Sequence, residues 1–279
     1  MKILLAGANG QVGREVGALM PQAIALAKSD LDITQLNSVE QSLNHYMPDF
    51  VINAAGYTAV DKAEQEPKQA FAINRDGIFN LAVCCKKLNI PLLHLSTDYV
   101  FNGAKASPYL EEDEIEPINI YGASKAEGEK VLQKTWEKHI ILRVSWVFGQ
   151  YGHNFVKTVL RLAAEKKELR IVSDQIGCPT PAFDIAKTLA LIIEKIQQGH
   201  RHWGMYHYCG DSAVSWFEFA KTILSDQSEI KIQPILSVDY PTPAKRPKNS
   251  VMNAGKIKQT FGIQPANWRA SLKELLRTI

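Results

Sequence analysis

Nearly continuous apolar runs alternate with amphipathic helical stretches along the first two-thirds of the chain, and this alternation limits the possible folds most. Strands that are buried on both faces of a parallel sheet have this composition. The predicted strands cover residues 2–7, 23–27, 49–56, 90–97 and 139–148, and the predicted helices cover 11–20, 35–47, 67–88 and 118–136. The repetition predicts an α/β fold, a Rossmann-like doubly wound parallel sheet with right-handed crossovers.

The pattern changes after Gly149, where helices and strands become mixed with Pro-punctuated loops. We therefore expect a dinucleotide-binding Rossmann domain over residues 1–150. Residues 151–279 are expected to form mainly a smaller, mixed α/β substrate-binding domain, with a helix over 154–169. The chain is expected to return to the Rossmann domain around 183–208.

Composition excludes several classes of protein. The chain has 279 residues, 46% of them hydrophobic, which suits one large globular unit or two coupled domains. The formal net charge of +3 is too small for a nucleic-acid partner but is compatible with an anionic small ligand. No apolar run approaches the roughly 20 residues of a membrane span. The four cysteines have no CxxC spacing, so we expect reduced thiols in a cytoplasmic protein.

Three glycines, Gly7, Gly10 and Gly13, lie between the first predicted strand and the first predicted helix. Glycine at such positions permits a tight turn, a close approach of the backbone to a pyrophosphate and close packing of helix on strand. The N–H groups at the start of the helix can then bind the phosphates. No Lys-Ser or Lys-Thr pair follows the glycines, which disfavours an NTP-hydrolysing loop. The segment therefore predicts dinucleotide binding.

The residues after the second predicted strand select between the two nicotinamide cofactors. An acidic residue there binds the ribose 2′-hydroxyl of NAD, whereas a basic residue accommodates the 2′-phosphate of NADP. Here Lys28 and Ser29 follow the strand directly, which favours NADPH and leaves NADH as the alternative. Asp32 and Ile33 are expected to flank the adenine.

Tyr121 and Lys125 are four residues apart on a predicted helix and so share one face. A nearby ammonium stabilises a phenolate and lowers its pKa from about 10, which suits acid–base chemistry near neutral pH. Thr97 ends the fourth predicted strand, at the edge where open α/β sheets bind ligands, and its hydroxyl can polarise a carbonyl group. These three residues predict a carbonyl reductase.

The motifs "GANGQVG", "STDYVF" and "YGASK" resemble the extended short-chain dehydrogenase/reductases. Further stretches, among them "SDQIGCPT" and "YPTPAKRPKNSVMN", are similar to the dTDP-4-dehydrorhamnose reductase family within them, and the similarity runs nearly end to end. The resemblance implies that NADPH or NADH reduces the C4 ketone of dTDP-6-deoxy-L-lyxo-4-hexulose. The product would be dTDP-L-rhamnose, a donor for cell-surface polysaccharides.

The resemblance also implies roles for individual residues. The catalytic residues would be Tyr121, Lys125 and Thr97. The cofactor would contact Gly10, Gln11, Val12, Asp32, Ile33, Gly56, Tyr57, Thr58, Tyr121 and Lys125. The substrate would contact Thr97, Asp98 and Trp146. Arg246, in a Pro-rich loop that restricts the backbone, is expected to bind the substrate diphosphate, since a guanidinium forms bidentate hydrogen bonds with such groups.

Some members of the family form a dimer through a magnesium site built from glutamates. Glu15 occupies one such position, but Phe183 aligns with the second, and the C-terminus ends too soon to supply the third. We therefore expect no bound metal, Mg²⁺ included, and a monomer or a weak homodimer.

The sequence leaves two other functions open. The first is a non-catalytic regulatory subunit of the same fold, against which the intact Thr97, Tyr121 and Lys125 argue. The second is a related nucleotide-sugar reductase or epimerase that acts on another sugar or with another stereochemistry.

Overall fold

A computed structural model describes residues 1–279. The strands are β1 (Ile3–Ala6), β2 (Ile24–Leu26), β3 (Phe50–Asn53), β4 (Leu92–Thr97), β5 (His139–Val144), β6 (Val147–Phe148), β7 (Glu168–Val172), β8 (Ile176–Gly177), β9 (Thr180–Pro181), β10 (Gly204–His207), β11 (Val214–Ser215) and β12 (Lys231–Ile235). The residues of β1, β3, β4 and β5 are almost all buried, whereas the edge strand β2 is partly exposed.

The helices lie mostly between successive strands of the sheet. They are α1 (Gln11–Leu19), α2 (Leu36–Tyr46), α3 (Val60–Ala63), α4 (Pro67–Phe71), α5 (Gly77–Leu88), α6 (Ile120–Thr135), α7 (Phe155–Glu165), α8 (Ala182–Gln197), α9 (Trp216–Ile223), α10 (Gly255–Phe261) and α11 (Trp268–Leu276). A π-helical turn joins α4 to α5 at Ala72–Asp76, and 3₁₀ turns lie at Asp98–Val100 and Ser237–Asp239. None of these helices combines the length and the apolar character needed to cross a membrane.

Six strands form one parallel sheet in the order β10-β5-β4-β3-β1-β2. The chain enters the sheet at β1, adds β2 at the nearby edge and then continues from β3 on the other side of β1. This reversal leaves a crevice at the carboxyl ends of β1 and β3, where doubly wound sheets bind ligands. The predicted α/β sheet is confirmed.

Two predicted elements differ from the structure. The predicted strand over 139–148 is interrupted before β6, because Trp146 has a left-handed backbone with φ +46°. The short β6 then leaves the central sheet and pairs with β9. The predicted helix over 154–169 ends at Glu165, because β7 starts at Glu168 and pairs in parallel with β12. A long-range strand pairing there overrides the local helical pattern.

The chain returns to the central sheet after β9. Helix α8 packs against α1, and β10 pairs with β5 in parallel. The remaining strands form three two-stranded sheets, β7 with β12, β8 with β11 and β6 with β9. A separate apolar cluster, with Phe148, Val156, Phe219 and Trp268 among its members, supports these smaller sheets. A domain boundary at residues 150 and 151 stays a prediction.

Helix α6 lies in direct contact with the backbone of two neighbouring segments. A Cβ atom on Gly122 would lie 2.1 Å from the carbonyl oxygen of Tyr99, and one on Gly128 would lie 2.0 Å from that of Asn74. Larger residues at either position would force α6 outward. The helix is also bound to β5, since Arg143 Nε and Nη2 donate to the two Glu129 carboxylate oxygens over 2.9 and 2.7 Å. Both side chains of this ion pair are 0% exposed.

We predict that Glu129→Gln lowers the free energy of unfolding by about 3 to 5 kcal/mol, because it leaves the buried Arg143 guanidinium without a counter-charge. Urea denaturation measures the change. The matched control is Glu127→Gln on the same helix. Its exposed pair with Lys130 joins Nζ to Oε1 over 2.8 Å, and losing such a pair costs less than about 1 kcal/mol. Equal effects of the two substitutions would contradict this role of the Glu129 pair.

Candidate active site

The glycine turn between β1 and α1 has no room for side chains. Gly7 has φ +84°, and a Cβ atom there would lie 2.4 Å from the backbone nitrogen of Ala55 beyond β3. A Cβ atom on Gly13 would lie 2.1 Å from the carbonyl oxygen of Gly7. Glycine is therefore required at both positions, and α1 begins directly at the crevice of the sheet.

The start of α1 presents free backbone donors. Gly10 caps the helix without a side-chain hydrogen bond, and the N–H groups of Gln11, Val12 and Gly13 have no backbone acceptor. The Gln11 side chain does not fill the gap, since its Nε2 donates to the Val147 carbonyl over 3.2 Å. Such a helix start binds phosphate groups through its N–H groups and its dipole. The site therefore fits the pyrophosphate of a dinucleotide.

The residues after β2 fit a phosphorylated ribose. Lys28 is exposed and forms no ion pair, so its ammonium is available to an anion. The nearby carboxylates already have local partners. Asp30 Oδ2 accepts from the Ala27 N–H over 3.1 Å, and Asp32 Oδ1 accepts from the Thr34 N–H over 3.0 Å. Ile33 is buried and packs against Gly77.

The loop after β3 lies between the glycine turn and helix α6. Gly56 and Thr58 are exposed, while Tyr57 is buried. The Tyr57 N–H donates to Asn74 Oδ1 over 2.8 Å, and Asn74 Nδ2 donates back to the Tyr57 carbonyl over 3.0 Å. A Cβ atom on Gly56 would lie 4.0 Å from Lys125 Nζ. This loop therefore reaches the face of α6 that carries the predicted catalytic lysine.

Tyr121 lies in the first turn of α6. Asn119 caps the helix by accepting the Gly122 N–H over 2.7 Å. The Tyr121 ring is half-buried and makes an edge contact with Tyr99, with 5.7 Å between the ring centroids. Burial raises the pKa of Tyr121 to about 12, while a hydrogen bond with Thr97 opposes the rise. The phenol therefore keeps its proton at neutral pH and is suited to give it to a developing alkoxide.

Lys125 lies one turn further along α6 and is buried. Its Nζ donates to the Leu95 carbonyl over 2.6 Å and lies 3.4 Å from His94 Nε2. Burial lowers the pKa of Lys125 to about 8, and the charge of Glu129 opposes the shift. The expected lowering of the Tyr121 pKa by this ammonium is not seen, because the Lys125 Nζ hydrogen bonds go to β4 and burial dominates at the phenol.

Thr97 and Asp98 end β4 beside Tyr121. The Thr97 hydroxyl donates to Asp98 Oδ1 over 3.0 Å and accepts from the Tyr99 N–H over 3.2 Å. Because a hydroxyl has one proton, Thr97 can polarise a carbonyl only when that proton turns away from Asp98. Burial raises the pKa of Asp98 to about 6, and the hydrogen bond from Thr97 to Oδ1 opposes the rise. Asp98 Oδ2 is buried without a partner and can accept a bond from a ligand.

A cavity of about 690 Å³ lies between α7, β7 and the Pro-rich loop. Its lining includes Tyr99, Phe155, Trp216, Tyr240 and Arg246. The Trp216 ring stacks on Trp146, with 3.4 Å between centroids and 3° between planes. A left-handed backbone is rare for a bulky residue and recurs at functional sites. The strained φ of Trp146 therefore points to a functional role for the end of the cavity at Trp216.

Arg246 lines the same cavity but is already paired. Its Nη1 and Nη2 donate to the carboxylate of Asp61, the latter over 2.7 Å, and Nη1 also donates to the Ala244 carbonyl over 2.6 Å. The pair raises the pKa of Arg246 and lowers that of Asp61. The guanidinium is thus held at the cavity with only part of its donors free, while Lys245 and Lys248 are exposed.

Glu15 does not present a free carboxylate. It is 3% exposed, and burial raises its pKa while a hydrogen bond with Gln150 opposes the rise. The Phe183 ring is exposed nearby on α8. No group of three or more His, Cys, Asp or Glu side chains that could hold a metal ion is present. The expected absence of a metal stays a prediction.

Several residues of the site carry no sequence motif of their own. Trp216 and Asp61 enter it only through the packing of distant segments. Asn74 lies in the π-helical turn and bonds both the Tyr57 loop and Ser124 Oγ, the latter over 2.9 Å. His94 could have been noticed, since it is a polar residue in the middle of an apolar strand, and it contacts Lys125.

The fold and the site together define a class of protein. A glycine turn at the reversal point of a doubly wound sheet, a tyrosine and a lysine one turn apart on α6, and a threonine at the end of β4 are the features of an extended short-chain dehydrogenase/reductase. The chain belongs to the RmlD substrate binding domain family, which matches residues 1–279.

Known proteins of the family are similar over their whole length. The dTDP-4-dehydrorhamnose reductase of Aggregatibacter actinomycetemcomitans is 45% identical, over 98% of this chain and 98% of its own. The crystal structure of a dTDP-4-dehydrorhamnose reductase from Clostridium acetobutylicum superposes on this chain with a TM-score of 0.95 at 37% identity, covering 100% of this chain and 99% of its own. The structure from Bacillus anthracis, in complex with NADP, has a TM-score of 0.92 at 35% identity, with coverage of 100% and 99%.

We predict that Lys125→Met removes a pH dependence of stability. The Lys125 pKa is 10.5 ordinarily and about 8 in the folded chain, so between these values the unfolded chain binds more protons and stability rises with pH. The difference in unfolding free energy, parent minus variant, should therefore increase by up to about 3 kcal/mol across this window. Urea titrations at several pH values measure it, and a difference that stays constant would refute the lowered pKa of Lys125 in the folded chain.

Proposed function

We propose that this chain is an NADPH-dependent reductase of a dTDP-linked 4-keto-6-deoxy sugar, forming dTDP-L-rhamnose from dTDP-6-deoxy-L-lyxo-4-hexulose. One observation carries the proposal. The glycine turn, the loop after β3 and Lys125 adjoin one another, since Gly7 lies against Ala55 and Gly56 lies against Lys125 Nζ. A dinucleotide on the turn would therefore extend to the residues that perform acid–base chemistry.

The cofactor, when bound, supplies a hydride to C4 of the sugar. Gly7, Gly10, Gln11, Val12 and Gly13 would hold its pyrophosphate. Lys28 would face the 2′-phosphate, and Asp32 and Ile33 would flank the adenine. The loop of Gly56, Tyr57 and Thr58, together with Lys125, would hold the nicotinamide end. NADH is the alternative cofactor, favoured if the Lys28 ammonium points away from the ribose.

Tyr121 completes the reduction by giving its phenol proton to the C4 oxygen, so that the carbonyl becomes a hydroxyl and the tyrosine becomes a phenolate. The raised pKa of Tyr121 keeps the proton in place until the alkoxide forms. Thr97 assists when its hydroxyl turns from Asp98 Oδ1 to the carbonyl oxygen. Asp98 Oδ2, buried without a partner, would accept a hydrogen bond from a sugar hydroxyl.

The nucleotide end of the substrate would occupy the 690 Å³ cavity. Trp146, whose ring stacks on Trp216, would contact the sugar at its inner end. Arg246 would contact the diphosphate through the donors that Asp61 leaves free, and the bidentate Asp61 pair would keep the guanidinium oriented. The names of the relatives, which specify dTDP-linked 4-dehydrorhamnose, support this choice of ligand.

We further propose the division into a Rossmann domain over 1–150 and a substrate domain over 151–279, because the smaller sheets and their apolar cluster fall in the second range. A cytoplasmic location is proposed because reduced cofactor is consumed there and because all four cysteines are free. A monomer or weak homodimer without a metal bridge is proposed because the Glu15 carboxylate is buried.

The decisive experiment is turnover of dTDP-6-deoxy-L-lyxo-4-hexulose with NADPH, followed by product analysis by NMR. Formation of dTDP-L-rhamnose is the expected result. Cofactor oxidation with a product of another stereochemistry would support a related nucleotide-sugar reductase or epimerase instead. No oxidation with any keto-sugar would support a regulatory subunit.

We predict that Tyr121→Phe lowers kcat by at least about 100-fold, because the variant keeps the ring but lacks the proton donor. Binding of NADPH, measured by fluorescence titration, should be largely retained. Tyr206→Phe is the matched control, since this tyrosine donates to the His202 carbonyl over 2.9 Å, away from the site. Near-normal turnover of Tyr121→Phe would reject the assignment of the acid.

We predict that Lys28→Asp raises KM for NADPH more than KM for NADH, because a carboxylate repels the 2′-phosphate that only NADPH carries. Steady-state kinetics with both cofactors provide the measurement. Lys273→Asp makes the same charge change at an exposed position of α11. Equal changes for the two cofactors in Lys28→Asp would show that Lys28 does not face the ribose.

A further inference from the structure

A chain of buried polar groups crosses the sheet from the loop after β3 to Lys125. It runs from the Ala55 N–H through Asn53 on β3 and His94 on β4 to the Lys125 Nζ on α6. Asn53 and His94 are each 0% exposed, and Lys125 is 5% exposed. Water does not reach fully buried groups to satisfy an unpaired donor or acceptor. Each donor in this series of hydrogen bonds must therefore face an acceptor.

The Asn53 amide has one orientation that satisfies both neighbours. Its Oδ1 accepts from the Ala55 N–H over 3.1 Å, and its Nδ2 lies 3.1 Å from His94 Nδ1. The reversed amide would direct an NH₂ group at the Ala55 N–H, which is a donor. Because Nδ2 is a donor, His94 Nδ1 must be the acceptor. A neutral imidazole that accepts at Nδ1 carries its proton on Nε2.

The Nε2–H of His94 faces Lys125. The distance between His94 Nε2 and Lys125 Nζ is 3.4 Å. An ammonium has three donors and no lone pair, so it cannot accept this bond, whereas a neutral amine can. The Leu95 carbonyl, 2.6 Å from Nζ, accepts from either form. The direction of these hydrogen bonds therefore favours the neutral amine of Lys125 over the ammonium.

We propose that His94 is a positioning residue whose Nε2–H, directed by Asn53 and the Ala55 N–H, favours the neutral amine form of Lys125. The relevance of the His94 tautomer to catalysis rests on the proposed reductase function. The proton arrangement itself follows from the hydrogen bonds of Asn53, His94 and Lys125 and does not depend on that function. His94 thus helps to set the charge of Lys125, which lies on the same helix as Tyr121 and next to Gly56 in the loop after β3.

The other ionisable groups around Lys125 are consistent with this role. On α6, Tyr121 lies one turn before it, and Glu129, one turn after it, favours the ammonium. Glu129 is itself paired with Arg143 of β5, which reduces its effect. Burial and the charges of Lys125 and of His139 on β5 hold the pKa of His94 well below its usual range, so the imidazole stays neutral.

The tautomer is directly measurable. Protein labelled with ¹⁵N-histidine gives separate Nδ1 and Nε2 signals for each ring, and the signals that vanish in His94→Phe belong to His94. We expect an unprotonated Nδ1 and a protonated Nε2 at neutral pH, without substrate or cofactor. A protonated Nδ1 with an unprotonated Nε2 would overturn the proposal.

The effect on Lys125 is measured with protein labelled with ¹³C at lysine Cε, and the Lys125 signal is assigned by its loss in Lys125→Met. Removing a donor that faces the amine should raise the apparent pKa of Lys125 by about one unit in His94→Phe. His139→Phe is the matched control, because this buried histidine bonds the Trp136 carbonyl and lacks a hydrogen bond to Lys125. An unchanged or lowered pKa in His94→Phe would refute the proposal.

A second variant covers the case in which His94→Phe does not fold. In His94→Asn the side-chain oxygen can take the place of Nδ1 and accept from Asn53, while the group that faces Lys125 is absent. The apparent pKa of Lys125 should rise in this variant too, and an unchanged value would count against His94. Neither titration involves turnover, so a failure of the proposed reaction and a failure of this proposal are distinguishable.

Discussion

The contact of α6 with the backbone of its neighbours is the constraint on which the site depends. Gly122 and Gly128 let the helix rest on the carbonyl groups of Tyr99 and Asn74, and the buried pair of Glu129 with Arg143 binds it to β5. Tyr121 directly precedes the first of these contacts, and Lys125 lies between the two glycines. Since the helix cannot shift without opening a backbone contact or unpairing a buried charge, the two side chains are held in fixed positions against β4.

The site is built from polar groups that the fold has removed from water. Burial raises the pKa of Tyr121 and of Asp98 and lowers that of Lys125, so in each group burial shifts the proton equilibrium toward the neutral form. A buried site of this kind depends on hydrogen bonds within the protein, rather than on water, to hold each proton. It also makes each hydrogen-bond direction important, as at Thr97, whose single proton now goes to Asp98.

Specific polar contacts between segments that are distant in sequence border the cavity of about 690 Å³. Asp61, from the short helix α3, pairs with Arg246 of the Pro-rich loop, and Asn119 Nδ2 donates to the Lys245 carbonyl over 2.8 Å. The same asparagine caps α6, so one residue bonds both the Pro-rich loop and the helix that carries Tyr121. These contacts therefore fix the Pro-rich loop relative to the start of α6.

The central fold and part of the candidate site can be predicted from the sequence alone. Alternating apolar runs specify buried parallel strands, Gly7 and Gly13 specify a turn that side chains would block, and a four-residue spacing brings Tyr121 and Lys125 to one face. These features are local, so their physical causes are visible in short stretches of sequence. The break at Trp146, the early end of α7, the pairing of Arg246 with Asp61 and the hydrogen bonding of Lys125 to β4 were decided only by tertiary structure. In each of these cases the partner is distant in sequence, and burial against that partner decides the conformation or the proton state.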